Sequence, residues 1–303
     1  MSGEQFDPVV GVPERLAPRL RRIVAPNSGP MTFRGTNTYL VGDREVAAID
    51  PGPASDAHLA ALLAATSGGR ITDILVTHAH RDHSALAPVL AARTGAPVRA
   101  FGPAAAGRSA VMARLAAAGL RGSEGVDVDF VPDAVLADGD RLARAEWEIT
   151  ALWTPGHMGN HMAFVWNGSA FSGDLVMGWS TSVIAPPDGD AAAFRHGCGR
   201  LADVAPRVLW PGHGPPVEDP AGRIAALLDH RAAREAQVLE ALADRPADAV
   251  TLAAKLYPDV PRAVLPAATA NVLAHLIDLH DRGVVAGDPA TGTQARFEIV
   301  ASA

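Results

Sequence analysis

The chain has 303 residues, 48% of them hydrophobic, which is enough for one large core with a smaller appended unit and excludes a disordered polar protein. A formal charge of −7 leaves no basic excess for wrapping a duplex, so duplex DNA is not an expected partner. Cys198 is the only cysteine, no basic-then-apolar leader opens the chain, and no run reaches about 18 to 20 apolar residues, so a reduced, cytoplasmic setting without a membrane anchor is expected.

In chain order, Thr38 to Val41 and Glu45 to Ile49 are expected strands around the Gly42-Asp43 turn. A helix over Asp56 to Ala65, a strand over Ile71 to Val76 and a short helix over Ala85 to Ala92 follow. Further strands are expected near Trp147 to Trp153 and at Val208 to Trp210, with a hairpin from Met162 to Phe171 turning at Asn167-Gly168. This alternation of strands and Ala/Leu-rich helices is the pattern of an α/β architecture.

Four prolines and two glycines between Pro211 and Pro220 suit neither a helix nor a central strand, which divides the chain into residues 1–218 and 219–303. In the second unit, Ile224 to Leu242, Thr251 to Leu256 and Ala267 to His280 are expected helices, and Gly283 to Ile299 a two-stranded ribbon. Three helices and a ribbon suggest a winged-helix shape. From Arg231 onward there are seven basic residues against nine acidic ones, so packing or homodimer formation suits this unit better than duplex binding.

The densest chemistry lies at Thr77-His78-Ala79-His80-Arg81-Asp82-His83, directly after an apolar strand. His78 and His80, two apart, can point to one side of an extended segment, and Asp82 and His83 then open a helix. Three more segments end strands with the same residue types: Thr154-Pro155-Gly156-His157, Ser172-Gly173-Asp174 and Pro211-Gly212-His213-Gly214. A ligand set of nitrogen and oxygen without thiolate suits zinc and admits iron or manganese. Two ions about 3.5–4 Å apart can share a water whose pKa falls to about 7, so no Ser or Cys nucleophile is needed. Cys198 is then expected to be structural.

In order and spacing these segments resemble the HxHxDH, TPGH, SGD and PGHG motifs of the metallo-β-lactamase superfamily. The resemblance spans roughly Asn37 to Gly214 and implies an αββα sandwich followed here by a small winged-helix-like domain. It implies a dinuclear, zinc-dependent hydrolase in which His78, His80 and His157 hold one ion and Asp82, His83 and His213 the other. Asp174 would bridge the two, Asp82 and Asp174 would be the catalytic carboxylates, and Asp50 would orient a ligand histidine.

An Asp at the bridging position resembles glyoxalase-II-like thioesterases and related nucleases rather than true zinc β-lactamases. Gly35-Thr36-Asn37-Thr38-Tyr39-Leu40-Val41, Gly178-Trp179-Ser180-Thr181-Ser182 and the His230-Arg231 to Arg234-Glu235 stretch resemble the β-lactamase-like protein 2 (endoribonuclease-like) group. Carrier-protein thioesterases resemble that group too. The implied substrates are therefore a phosphodiester in single-stranded RNA or a small-molecule ester, thioester or lactone, with an iron-dependent persulfide-dioxygenase-like protein as the alternative outside hydrolysis. Arg34 and Arg81 are candidate contacts to a phosphate or carboxylate, Phe33 and Trp179 candidate pocket walls, and His161 a candidate general acid.

Overall fold

In the computed structural model, residues 6–123 and 125–300 are described. The strands β1 (Glu14–Ala17), β2 (Leu20–Val24), β3 (Asn37–Val41) and β4 (Glu45–Ile49) lead to α1 (Asp56–Ala65) and β5 (Arg70–Leu75). The helices α2 (Arg81–Ser84) and α3 (Ala87–Thr94) precede β6 (Val98–Ala100), α4 (Ala110–Ala117) and β7 (Ala134–Val135). These seven strands form one sheet in chain order, antiparallel from β1 to β4 and parallel from β4 to β7.

A second sheet of β8 (Arg141–Ala143), β9 (Glu148–Trp153), β10 (Met162–Trp166), β11 (Ser169–Gly173) and β12 (Leu209–Pro211) has the order β12-β11-β10-β9-β8. Its last pair, β11 and β12, is parallel, and α5 (Ala191–Asp203) lies between them in sequence. The expected hairpin forms: Trp166 pairs with Ser169 around Asn167 and Gly168, both with positive φ, the geometry of a tight primed turn.

Alternation along the strands makes the layers. Tyr39, Val41, Ala47 and Ile49 face Ile149, Ala151, Phe164 and Phe171 of the second sheet. Leu40, Val46 and Ala48 point the other way, onto Leu59 and Leu62 of α1 and Leu90 of α3. On the far side, Ala163, Ala170 and Leu209 pack against Phe194, Cys198 and Leu201 of α5. The result is the αββα sandwich.

Asp219 caps α6 (Pro220–Ala243) by accepting from the Gly222 amide, and Pro220 sits in its first turn, so the helix begins earlier than Ile224. After it come β13 (Ala247–Asp248), α7 (Ala249–Leu256), α8 (Leu265–Asp281), β14 (Val285–Ala286), a 3-10 helix at Pro289–Gln294 and β15 (Arg296–Ile299). The expected two-stranded ribbon is the β14–β15 pair, and β13 adds a third strand on its other side. The helix expected over Ala85 to Ala92 forms as α3, two residues later, with Pro88 in its first turn and the short α2 ahead of it.

The two units share apolar cores. Ile224 and Leu227 of α6 pack beneath the second sheet, whereas Val238, Ala241 and Leu242 of the same helix pack with α7 and α8. Met112 and Leu115 of α4 complete the C-terminal cluster. Among the described residues no helix is long and apolar enough to cross a membrane.

Candidate metal centre

Each proposed ligand follows a strand, His78 to His83 after β5, His157 after β9, Asp174 after β11 and His213 after β12, and Asp50, expected to orient a ligand histidine, follows β4. The folded chain gathers all seven proposed ligands. His80 Nδ1 lies 2.9 Å from His78 Nε2 and 2.9 Å from His157 Nε2. His213 Nε2 lies 3.1 Å from Asp82 Oδ2 and 3.3 Å from His83 Nε2. Asp174 stands between the trios, with Oδ2 3.8 Å from His157 Nε2 and 3.3 Å from His213 Nε2, and Oδ1 3.6 Å from His83 Nε2.

Local hydrogen bonds fix which ring nitrogen faces inward. His157 Nδ1 donates to the Val183 carbonyl at 2.6 Å, and His213 Nδ1 approaches the Gly35 carbonyl at 3.3 Å. A carbonyl only accepts, so Nδ1 carries a proton in each ring and Nε2 is the nitrogen turned towards the site. Asp50 does the same for two rings. Its Oδ2 accepts from His83 Nδ1 at 2.9 Å and from Thr77 Oγ1 at 2.8 Å, leaving that hydroxyl oxygen to accept from His78 Nδ1 at 2.9 Å. Asp50 also accepts from the Thr77 amide at 2.7 Å, and its own φ of 51° is a strained value at the end of β4.

Close backbone approach completes the site. Asn37 Nδ2 donates to the carbonyls of Pro211 and Gly214, 2.9 Å each, and so grips both ends of the turn that carries His213. Within that turn a Cβ on Gly212 would strike Asp174 Oδ1 and His83 Cε1, so only glycine fits.

Burial holds the first trio neutral. It pushes His80 down to about 3 and lowers His78 and His157 as well, with the neighbouring imidazoles adding to the effect at His78 and His80. In the second trio burial acts in the same direction, but nearby carboxylates outweigh it. Asp82, Asp174 and Asp50 raise His83 well above the usual histidine range, and Asp174 and Asp82 raise His213 to about 9. Burial would raise Asp82 and Asp174, yet the charges of His83 and His213 hold both well below the carboxylate range.

The donor set fits metal ions. Donors at about 2.0–2.1 Å from one tetrahedral ion stand about 3.3 Å apart, close to the spacings within each trio. His78, His80 and His157 form one compact donor group and Asp82, His83 and His213 another. Asp174 Oδ1 is buried without a hydrogen-bond partner, an orphaned acceptor that a cation would satisfy.

Of the residues expected to touch substrate, Phe33 and Trp179 stack at 5.1 Å and 15°, and Trp179 lies over Gly214, next to His213. Phe6 extends the stack at 6.0 Å from Phe33. The Arg34 guanidinium sits 5.3 Å over the Phe33 ring and 3.7 Å from Asp7. Arg81 is exposed, next to Asp82 in sequence. His161 is fully buried, its ring 5.3 Å from that of His78, with Nδ1 on Thr154 Oγ1 at 2.9 Å and Nε2 unpartnered. Asn37, Thr77 and the Val183 carbonyl were not expected as site groups, although Thr77 precedes His78 and Asn37 lies in the Gly35 to Val41 run.

Comparisons with known proteins agree with this geometry. The sequence profile of the Metallo-beta-lactamase superfamily matches residues 31–249, and that of the Beta-lactamase associated winged helix domain matches residues 249–292. The chain is 30% identical over 283 residues to the Beta-lactamase-like protein 2 homolog of Drosophila melanogaster, covering 89% of this chain and 90% of that one. It is 29% identical over 250 residues to the Atrochrysone carboxyl ACP thioesterase of Aspergillus fumigatus, covering 79% of this chain and 70% of that one. The crystal structure of a metallo-beta-lactamase family protein from Thermus thermophilus superposes with a TM-score of 0.74 at 27% identity, over 94% of this chain and 100% of that one. With the motifs, the sandwich and the donor groups in place, the chain belongs to the metallo-β-lactamase superfamily, as a metal-dependent hydrolase with a C-terminal winged-helix domain.

Proposed function

We propose that the chain is a dinuclear zinc hydrolase acting on a thioester, with a phosphodiester of single-stranded RNA as the second reading. The observation that carries it is the convergence of seven nitrogen and oxygen donors into two trios joined by Asp174. Two bound ions would lower the pKa of a shared water to about 7 and polarise the scissile bond. His78, His80, His157, Asp82, His83 and His213 would hold the ions, and Asp174 would reach both.

The chain's own residues supply orientation. Asp50 and Thr77 keep the His83 and His78 rings turned inward. Phe33 and Trp179 offer a stacked apolar wall beside His213, suited to an uncharged acyl group. His161 is sealed from solvent behind His78, a poor position for a general acid. A thiol, with a pKa near 8.5, leaves without such an acid, whereas a ribose alkoxide needs help. Arg34 stands 3.7 Å from Asp7, and Arg81 is exposed beside Asp82, so these two arginines are the candidate contacts for a phosphate. The thioesterase relative supports the same substrate class.

The RNA reading draws on the same aromatic wall, which would equally stack a base. A panel of acyl thioesters, lactones, a chromogenic cephalosporin and RNA oligomers, assayed with zinc-loaded protein, tests the proposal. Turnover of thioesters alone is expected. Cleavage of RNA without thioester turnover would replace the leading reading with the second.

A further inference from the structure

The segment from Asp174 to Ile184 connects three parts of the site: the carboxylate between the trios, the Trp179 wall and the Val183 carbonyl that fixes His157. No regular element stiffens it between β11 and α5. The C-terminal helices hold it instead. Arg223 of α6 donates through Nε to the Met177 carbonyl at 2.7 Å and through Nη2 to the Ser180 carbonyl at 2.6 Å. Further along the same helix, Arg231 donates to the Ser182 carbonyl and, at 3.0 Å, to Asn271 Oδ1 of α8. That same Oδ1 accepts from the Ile184 amide at 2.9 Å.

Val183 is therefore gripped on both sides, by Arg231 at residue 182 and Asn271 at residue 184. Arg231 is an unusual residue for packing alone. It is 4% exposed, and among the described residues it forms no ion pair, whereas nearby Arg195 and Arg282 both pair with Asp278. Burying a guanidinium without a carboxylate is costly, and its compensation here is the loop carbonyl, the Asn271 amide oxygen and the Phe194 ring 5.2 Å away. An apolar side chain would fill the same space at lower cost, so the charge serves the loop.

We propose that Arg231 is a positioning residue: with Asn271 it sets the Val183 carbonyl, which holds His157 Nε2 towards His78 and His80, so that α6 and α8 build part of the metal site. This rests on the reading of the two trios as metal ligands. Groups that orient a metal ligand commonly change affinity about 10- to 100-fold when removed, which sets the scale of the test.

The two trios can be isolated by substitution. H213A keeps His78, His80 and His157, whereas H157A keeps Asp82, His83 and His213. Zinc affinity is measured for each, with and without R231M, by competition with a chromophoric chelator on the full chain. Adding R231M is expected to weaken zinc binding by H213A about 10- to 100-fold while leaving H157A within about twofold. Equal weakening of both, or of neither, overturns the proposal, because general loosening of the fold would not choose one trio. If R231M does not fold, R231K keeps the charge with a shorter, single-ended donor and carries the same comparison, with a smaller loss expected for H213A alone. A separate failure is visible in the parents: if H157A and H213A each still bind two zinc ions as the unaltered protein does, the metal reading itself falls.

Discussion

Around the strand ends and inside the C-terminal unit, buried polar groups are treated in opposite ways. At the strand ends Thr77, Asp50, His83 and His78 form a connected hydrogen-bonded chain that turns lone pairs into one shared space. In the C-terminal unit the core is apolar, built from residues such as Val272, Leu276 and Phe297, and the His275 ring on α8 is buried with both nitrogens unpartnered. The first arrangement specifies chemistry, and the second supplies adhesion. The two meet where Arg223 and Arg231 hold the loop after Asp174.

Substitutions that separate chemistry from stability break this contrast most directly. Asp174→Ala removes the carboxylate between the trios and is expected to lower turnover by at least about 10²-fold, with the thermal melt of the metal-free chain little changed. Steady-state kinetics and calorimetry on one preparation check both halves, and wholesale unfolding would contradict it. Phe297→Ala should do the reverse. It removes a fully buried ring from the C-terminal core and is expected to cost about 3–5 kcal/mol in denaturant unfolding, with metal stoichiometry unchanged in the protein that remains folded.

Thr77→Val sharpens the contrast within the site. It deletes the hydroxyl between Asp50 and His78 without changing volume much, so metal affinity should fall about 10- to 100-fold at the trio that contains His78. A chelator competition that finds no change would show that the Asp50 chain is dispensable for that ring. The smallest effect concerns pH. Burial, with Arg231, Arg195 and Arg234 nearby, pushes His275 down to about 3, whereas an unfolded histidine titrates near 6.5. Below about 6.5 the unfolded chain binds a proton that the folded chain refuses, so this stability is present at neutral pH and lost as pH falls towards about 3. His275→Leu should therefore flatten the acid side of the stability curve by up to about 1.4 kcal/mol per pH unit, read from urea midpoints between pH 7 and 5.

The sandwich and the convergence of seven His and Asp side chains were legible in the sequence, and for a physical reason. Histidine and aspartate are recognisable by residue type, and His78, His80, Asp82 and His83 follow an apolar strand at a spacing that brings them to one place. The Asn167-Gly168 turn was legible because both residues must accept positive φ. What stayed hidden was carried by backbone or by tertiary context. Val183 contributes only a carbonyl, which leaves no trace in residue type. α4 is absent from the sequence reading although Ser109 caps it; the helix is only eight residues long and is held by packing Met112 and Leu115 into the distant C-terminal cluster. α5 carries Gly197 and Gly199, both poor for helices, yet is held by its Asp190 cap and by burial of Phe194, Cys198 and Leu201, and Gly197 is there because a Cβ would strike the Pro155 carbonyl.

Whether the two trios each hold an ion is read from metal content by mass spectrometry. Protein purified without added metal, alongside H157A and H213A prepared identically, is expected to carry about two zinc ions per chain, falling to about one in each variant. A single iron per chain, or two zinc ions undiminished in both variants, would rule out two zinc sites built on these trios.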